Sequence, residues 1–92
     1  MRPSADATPA PGEAAFRELY KELVETNTTL SSGDCTLAAT RLAARLTAAG
    51  YPEANVRVWT VPGHPKEGGL FARLPGTDAS AKPVLMLGHL DV

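Results

Sequence analysis

The sequence predicts an α/β fold in the order helix, helix, strand, strand, strand, with a sheet that is incomplete. Apolar residues recur with helical spacing between residues 13 and 49, and they alternate with polar residues between 55 and 74. The apolar run Val84–Leu87 does not alternate, which is typical of a strand buried on both faces. These three observations together define the predicted class.

Two helices are expected in the first half of the chain. The first begins at Glu13 and carries one apolar stripe, because its apolar residues lie three and four positions apart. The stripe consists of Phe16, Leu19, Tyr20, Leu23 and Val24. After a polar loop, Asp34 is the predicted N-cap of a second helix through Ala49, which Gly50 ends. The expected buried face of this helix consists of Ala38, Ala39, Leu42, Leu46 and Ala49.

The pattern then changes to the period of two that strands require. Residues 55–61 alternate, with Val56 and Val58 on one face, and residues 70–74 alternate again. A polar stretch, Gly63–Gly69, lies between them, so we predict two antiparallel strands joined by a rather long loop. Val84–Leu87 is the predicted third strand and the most buried of the three. Residues 1–12 carry three prolines and no long apolar segment, and they are predicted to be a flexible leader.

Composition limits the function classes. The 92 residues allow one small domain, and a net charge of −1 with scattered basic residues argues against nucleic-acid binding. The longest apolar stretch, Val84–Leu87, is far too short to cross a membrane. A single cysteine, Cys35, excludes an intrachain disulfide and is interpreted as an unreactive, partly buried side chain. The compartment stays open: cytoplasmic, or secreted or periplasmic after removal of a signal peptide.

The residues Gly88-His89-Leu90-Asp91-Val92 directly follow the predicted buried strand. Ligands collect beyond the carboxyl ends of strands in open α/β sheets, so His89 is a candidate metal ligand. If Leu90 is extended, His89 and Asp91 project from the same side, and the carboxylate accepts the second ring N–H. Such a carboxylate orients a metal-binding histidine. His-x-Asp alone is a weak pattern, and a histidine in an ordinary loop beside a capping aspartate also fits. The other histidine, His64, is interpreted as a turn residue.

The string VLMLGHLDV resembles the first metal-ligand motif of the aminoacylase and carboxypeptidase-G-like zinc metallopeptidases, peptidase family M-twenty. Upstream segments are also similar to this family: LSSGDC after the first helix, AAGY ending the second, then VRVWTVP and LFARLPG. The resemblance covers residues 13–92, and it implies the N-terminal part of a zinc-exopeptidase-like, three-layer α/β/α catalytic domain.

The resemblance also implies a chemistry. His89 corresponds to a ligand of one of two zinc ions, with other divalent metals as alternatives, and Asp91 to the catalytic-site aspartate that orients this histidine. The implied enzyme is an exopeptidase or aminoacylase-like hydrolase that cleaves amide bonds of peptides or N-acyl amino acids. The family's remaining ligands and general base have no counterpart in residues 1–92. We therefore expect the chain to be a fragment that is inactive alone and prone to self-association.

Two other interpretations remain open at this stage. The chain is alternatively a non-enzymatic α/β module that binds a partner through an open sheet edge. It is alternatively part of an unrelated α/β enzyme in which a histidine at a strand end acts as a base. Additional zinc ligands encoded beyond Val92 are expected only under the zinc-hydrolase interpretation.

Overall fold

A computed structural model describes residue 8 and residues 10–92 of the chain. Most of the predicted leader, residues 1–12, lies outside the described residues. The elements are α1 (Glu13–Glu25), α2 (Cys35–Ala48), a short 3-10 helix (Glu53–Asn55), β1 (Val56–Val61) and β2 (His64–Ala72). The predicted α/β class is confirmed, and so is the order of the two α-helices followed by two strands.

Helix α2 begins and ends as its sequence predicts. The Asp34 side chain accepts a hydrogen bond from the Leu37 backbone N–H at 2.8 Å, which satisfies one of the free N–H groups at the start of the helix. Gly50 has a φ of 105°, a left-handed conformation that a residue with a Cβ rarely adopts and that ends the helix. Within α2, Ala38 and Ala39 are fully buried, Leu42 and Leu46 are half-buried, and the predicted core residue Ala49 is exposed.

Two polar contacts join the C-terminal part of helix α1 to α2. The Arg45 Nε atom lies 2.7 Å from Glu22 Oε1, and Arg41 donates to the Thr26 hydroxyl over 2.7 Å. The predicted apolar stripe of α1 is only partly covered: Leu19 and Leu23 are half-buried. Its other members are exposed, and the rings of Phe16 and Tyr20 stack on each other with centroids 6.1 Å apart.

Strands β1 and β2 form an antiparallel hairpin in which Val58 faces Leu70 and Trp59 faces Gly69. The prediction of a long loop over Gly63–Gly69 is wrong. The chain reverses through Pro62 and Gly63, and β2 already starts at His64. Gly63 has a φ of 81°, so the proline–glycine pair supplies the geometry of a tight turn that the polar composition did not reveal.

The core lies where α2 crosses one face of the hairpin. Val56, Val58 and Leu70 are half-buried there, whereas Trp59 and Phe71 are on the exposed side. Ala38 and Ala39 are the fully covered apolar residues of the described chain, and their small side chains let the helix approach the strands closely. The described residues therefore form two layers, one of helix and one of sheet.

The predicted third strand is wrong. Within the described residues the sheet has two strands, and Val84–Leu87 has no regular secondary structure. Its four side chains are between 71% and 89% exposed, so the segment predicted to be most buried is among the most exposed. A strand needs backbone partners at its edge and side-chain cover on its buried faces, and neither is supplied to this segment by the described residues. The apolar sequence of this segment therefore favours burial, but it does not specify which residues would cover it or pair with its backbone.

Candidate functional site

The segment after Gly88 is attached to the loop between the two helices. Leu90 is half-buried, and the Val92 backbone N–H lies 3.5 Å from the Thr28 carbonyl oxygen. Thr28 itself is only 5% exposed. These contacts hold Asp91 near the start of α2, although His89 and Asp91 are both exposed to solvent.

His89 and Asp91 contact each other through atoms that suit a metal-binding pair. The His89 Nδ1 atom lies 3.2 Å from Asp91 Oδ1 and 3.1 Å from the Asp91 backbone oxygen. Both partners are acceptors when the carboxyl is ionised, so they favour the tautomer in which Nδ1 carries the proton. In that tautomer the Nε2 lone pair is free to bind a metal ion or to accept a proton.

A protein zinc site normally needs three or more protein ligands. Among residue 8 and residues 10–92, no group of three His, Cys, Asp or Glu side chains is arranged to hold a metal ion. His89 therefore fits the part of one ligand, with Asp91 as the carboxylate that orients it. The described residues do not make a complete zinc centre.

The loop between α1 and α2 is folded by its own side chains. Asn27 Oδ1 accepts hydrogen bonds from the Thr29 backbone N–H at 3.0 Å and from the Thr29 hydroxyl at 2.8 Å. The Asn27 amide also donates to Ser32 Oγ over 3.1 Å. Gly33 packs so tightly on the Thr29 backbone that a Cβ atom there would overlap it. These contacts give the loop one defined shape.

A cleft of about 530 Å³ lies between this loop and the hairpin turn. Its walls include Leu30 from the loop, Trp59 and Val61 from β1, and the segment Gly63–Gly68. Asp91 also lines the cleft, so the cleft is adjacent to the His89–Asp91 pair. The volume lies within the range of about 300–1,000 Å³ that is usual for small-molecule sites.

Cys35, the first residue of α2, also lines this cleft and is partly buried. Its pKa is raised first by desolvation and then by the negative charges of Asp91, Asp34 and Glu67. A raised pKa keeps the thiol protonated at neutral pH, which agrees with the interpretation of Cys35 as unreactive. The charges also show that the cleft has a negative electrostatic environment near Cys35.

The cleft brings together residues that the sequence did not connect. His64 lines it, with Nδ1 at 3.4 Å from Glu67 Oε2, and so do Cys35 and Asp91. These residues are far apart along the chain and share no short motif, so no local pattern points to their proximity. The part of this arrangement that the sequence could have indicated is the Pro62–Gly63 turn, after which β2 starts at His64.

No family model matches the chain, and neither a curated protein nor a solved structure was found to match it. None of the helices in the described ranges has the length and apolarity needed to cross a membrane. The resemblance of VLMLGHLDV to a zinc-peptidase motif therefore remains a prediction from the sequence.

Proposed function

We propose that the chain supplies the first metal ligand of a dinuclear zinc hydrolase that cleaves amide bonds of peptides or N-acyl amino acids. The observation that carries this proposal is the contact between His89 and Asp91, which leaves the Nε2 atom of His89 free. It occurs within the string that resembles the zinc-peptidase motif, immediately after four apolar residues.

In this proposal the two residues have different tasks. His89 binds zinc through Nε2, while Asp91 accepts the Nδ1 proton and fixes both the tautomer and the ring orientation. Bound zinc supplies a Lewis acid for the scissile carbonyl and lowers the pKa of its bound water. Because the described residues contain no group of three such side chains, the proposal places the other ligands and the general base outside the described residues, and it expects residues 1–92 alone to be inactive.

The exposed segment Val84–Leu87 supports the finer proposal that the fold belongs to a three-layer α/β/α catalytic domain. Four consecutive apolar side chains in water cost free energy, roughly 1.5–3 kcal/mol for each large one relative to full burial. A central strand position in a larger sheet would remove this cost. It would also satisfy the free backbone groups of the segment.

The proposal is tested by the metal content of the protein expressed from its complete gene. Zinc is measured by mass spectrometry after dialysis for the wild type and for His89→Ala, with His64→Ala as the matched control. We expect His89→Ala to lose at least one zinc ion per chain, while His64→Ala retains all of them. Asp91→Asn should keep the ligand but weaken zinc affinity about 10–100-fold. Unchanged zinc content in His89→Ala would remove the basis of the proposal.

A second candidate is a non-enzymatic module that binds a partner through its sheet. It is favoured by the hairpin, in which β1 and β2 are paired only with each other among the described residues, so each keeps a free edge. Free edges accept an added strand from another chain. The same measurement separates the candidates, because a module of this kind contains no zinc whose content depends on His89.

A further inference from the structure

The cleft beside Asp91 has walls that are held in place before any ligand arrives. The Thr36 hydroxyl donates to the Pro65 carbonyl oxygen over 2.7 Å and fixes the hairpin turn against α2. On the opposite side, the contacts of Asn27 with Thr29 and Ser32 fix the loop. A cleft that does not have to be ordered on binding loses less affinity to conformational entropy.

The cleft offers apolar surface that no described side chain covers. Leu30 is 88% exposed, Trp59 48% and Val61 39%, and all three line it. The Trp59 ring lies over Gly69, where a Cβ atom would come within 2.5 Å of the indole. Because Gly69 has no side chain, the indole packs closely against β2, and Trp59 also lines the cleft. The indole of Trp59 and the side chains of Leu30 and Val61 can pack against a ligand side chain that has an aliphatic stem.

The charges around the cleft favour a cation at the end of that stem. Glu67 and Asp91 line the cleft, and Lys66 is the one lysine or arginine among the described residues that line it. Asp34 adds a third carboxylate close enough to act on Cys35. An indole face attracts a guanidinium or ammonium group as well. A carboxylate in the same place would meet two negative side chains.

We propose that this cleft binds the side chain of the amide substrate, and that the side chain it prefers is cationic with an aliphatic stem, as in arginine. The inference rests on the proposed function for the identity of the substrate as an amide. The preference for a cationic side chain rests only on the apolar surface and the charges of the cleft. Because Asp91 lies on both the cleft and the metal-ligand pair, the substrate's amide group would lie beside His89 when its side chain occupies the cleft.

The test measures binding without metal or turnover. Trp59 is the single tryptophan, so its fluorescence reports occupation of the cleft. The chain is titrated in the presence of a metal chelator with N-acetylarginine amide, N-acetylcitrulline amide and N-acetylglutamate amide. Citrulline has nearly the shape of arginine without its charge. We expect saturable binding, with the arginine probe about two- to fivefold tighter than the citrulline probe and the glutamate probe weakest.

Two pairs of variants separate charge from shape. Glu67→Gln should lower the arginine-to-citrulline ratio toward one, whereas its neighbour Lys66→Gln should not lower it. Leu30→Ser should weaken all three probes, and Leu74→Ser, equally apolar and exposed but outside the cleft lining, should change none. Circular dichroism of each variant checks that the fold is retained.

The outcomes distinguish this inference from the proposed function. Absence of saturable binding, or a glutamate probe that binds as tightly as arginine, overturns the inference and leaves the zinc measurement untouched. Equal affinity for arginine and citrulline overturns the preference for a cation. Conversely, zinc content that does not depend on His89 overturns the proposed function even when the probes bind as expected.

Discussion

The hydroxyl of Thr36 in α2 donates a hydrogen bond to the carbonyl oxygen of Pro65 in β2, with 2.7 Å between the two oxygens. This hydrogen bond links the first turn of α2 to the first residues of β2. Gly68, two positions before the half-buried Leu70, lies so close to the Thr36 side chain that a Cβ atom would overlap it. The helix and the hairpin are thus held together at the same end of the molecule where the cleft opens.

Removal of this hydroxyl should weaken the fold measurably. Thr36→Val keeps the shape of the side chain and loses the hydrogen bond, so we expect the free energy of unfolding to fall by about 0.5–1.5 kcal/mol. Urea denaturation followed by circular dichroism gives this value. Thr40→Val is the control, because among the described residues the Thr40 hydroxyl donates to the Thr36 carbonyl oxygen, which lies within the same helix. An equal loss in both variants would contradict a link between helix and hairpin.

The reactivity of Cys35 should report the position of Asp91. Burial and nearby carboxylates raise the pKa of the thiol, so less thiolate is present at pH 8 than in an unstructured peptide. We expect slow alkylation by iodoacetamide, with the pH profile displaced to higher pH. Asp91→Asn removes one of the charges, lowers the pKa and should accelerate alkylation. Asp78→Asn is the control, since Asp78 does not contribute to the shift. A rate unaffected by Asp91→Asn would show that Asp91 is not near the thiol.

The purified 92-residue chain should have no hydrolase activity. Peptides and N-acyl amino acids are offered with and without added zinc, and amine release is measured. No three His, Cys, Asp or Glu side chains of the described residues are grouped to hold a metal ion, and a catalytic zinc ion normally needs three protein ligands, so added metal should make no difference. Zinc-dependent turnover that disappears in His89→Ala would contradict this expectation.

The exposed apolar segment should promote association of the chain. Val84–Leu87 and the free hairpin edges leave apolar side chains and backbone groups in water, and both favour pairing with another copy. Sedimentation velocity should show a mass that rises with concentration. Met86→Lys should reduce this rise, and Val24→Lys, also exposed but on α1, should not. A chain that stays monomeric at high concentration would contradict the prediction that the exposed segment promotes self-association.

Local patterns predicted the elements whose stability depends on nearby residues. Asp34 and Gly50 define the ends of α2 through contacts within a few positions, so capping chemistry alone located them. Alternation placed Val56 and Val58 on the same face, and they are the half-buried residues of β1. The start of β2 was missed because residues 64–69 are polar residues, one proline and two glycines, and their pairing with β1 follows from the Pro62–Gly63 turn.

The features that were predicted wrongly or not predicted at all depend on residues that are far apart in the sequence. A strand at Val84–Leu87 needs partners that its own sequence does not specify, and an apolar run alone cannot distinguish a buried strand from uncovered chain. The cleft likewise joins the loop before α2, the hairpin and Asp91 through tertiary contacts. His89 and Asp91 were identifiable together because only one residue separates them, whereas Cys35 and His64 carried no sign that they would share a cavity with Asp91.

The contact between Val92 and Thr28 joins residues more than sixty positions apart in the sequence. Closing so long a loop costs conformational entropy before the contact can contribute to stability. The helices and the hairpin close through much shorter loops. We therefore expect Asp91 to dock beside Cys35 after the helices and the hairpin have formed. The cleft is then complete only in the fully folded chain.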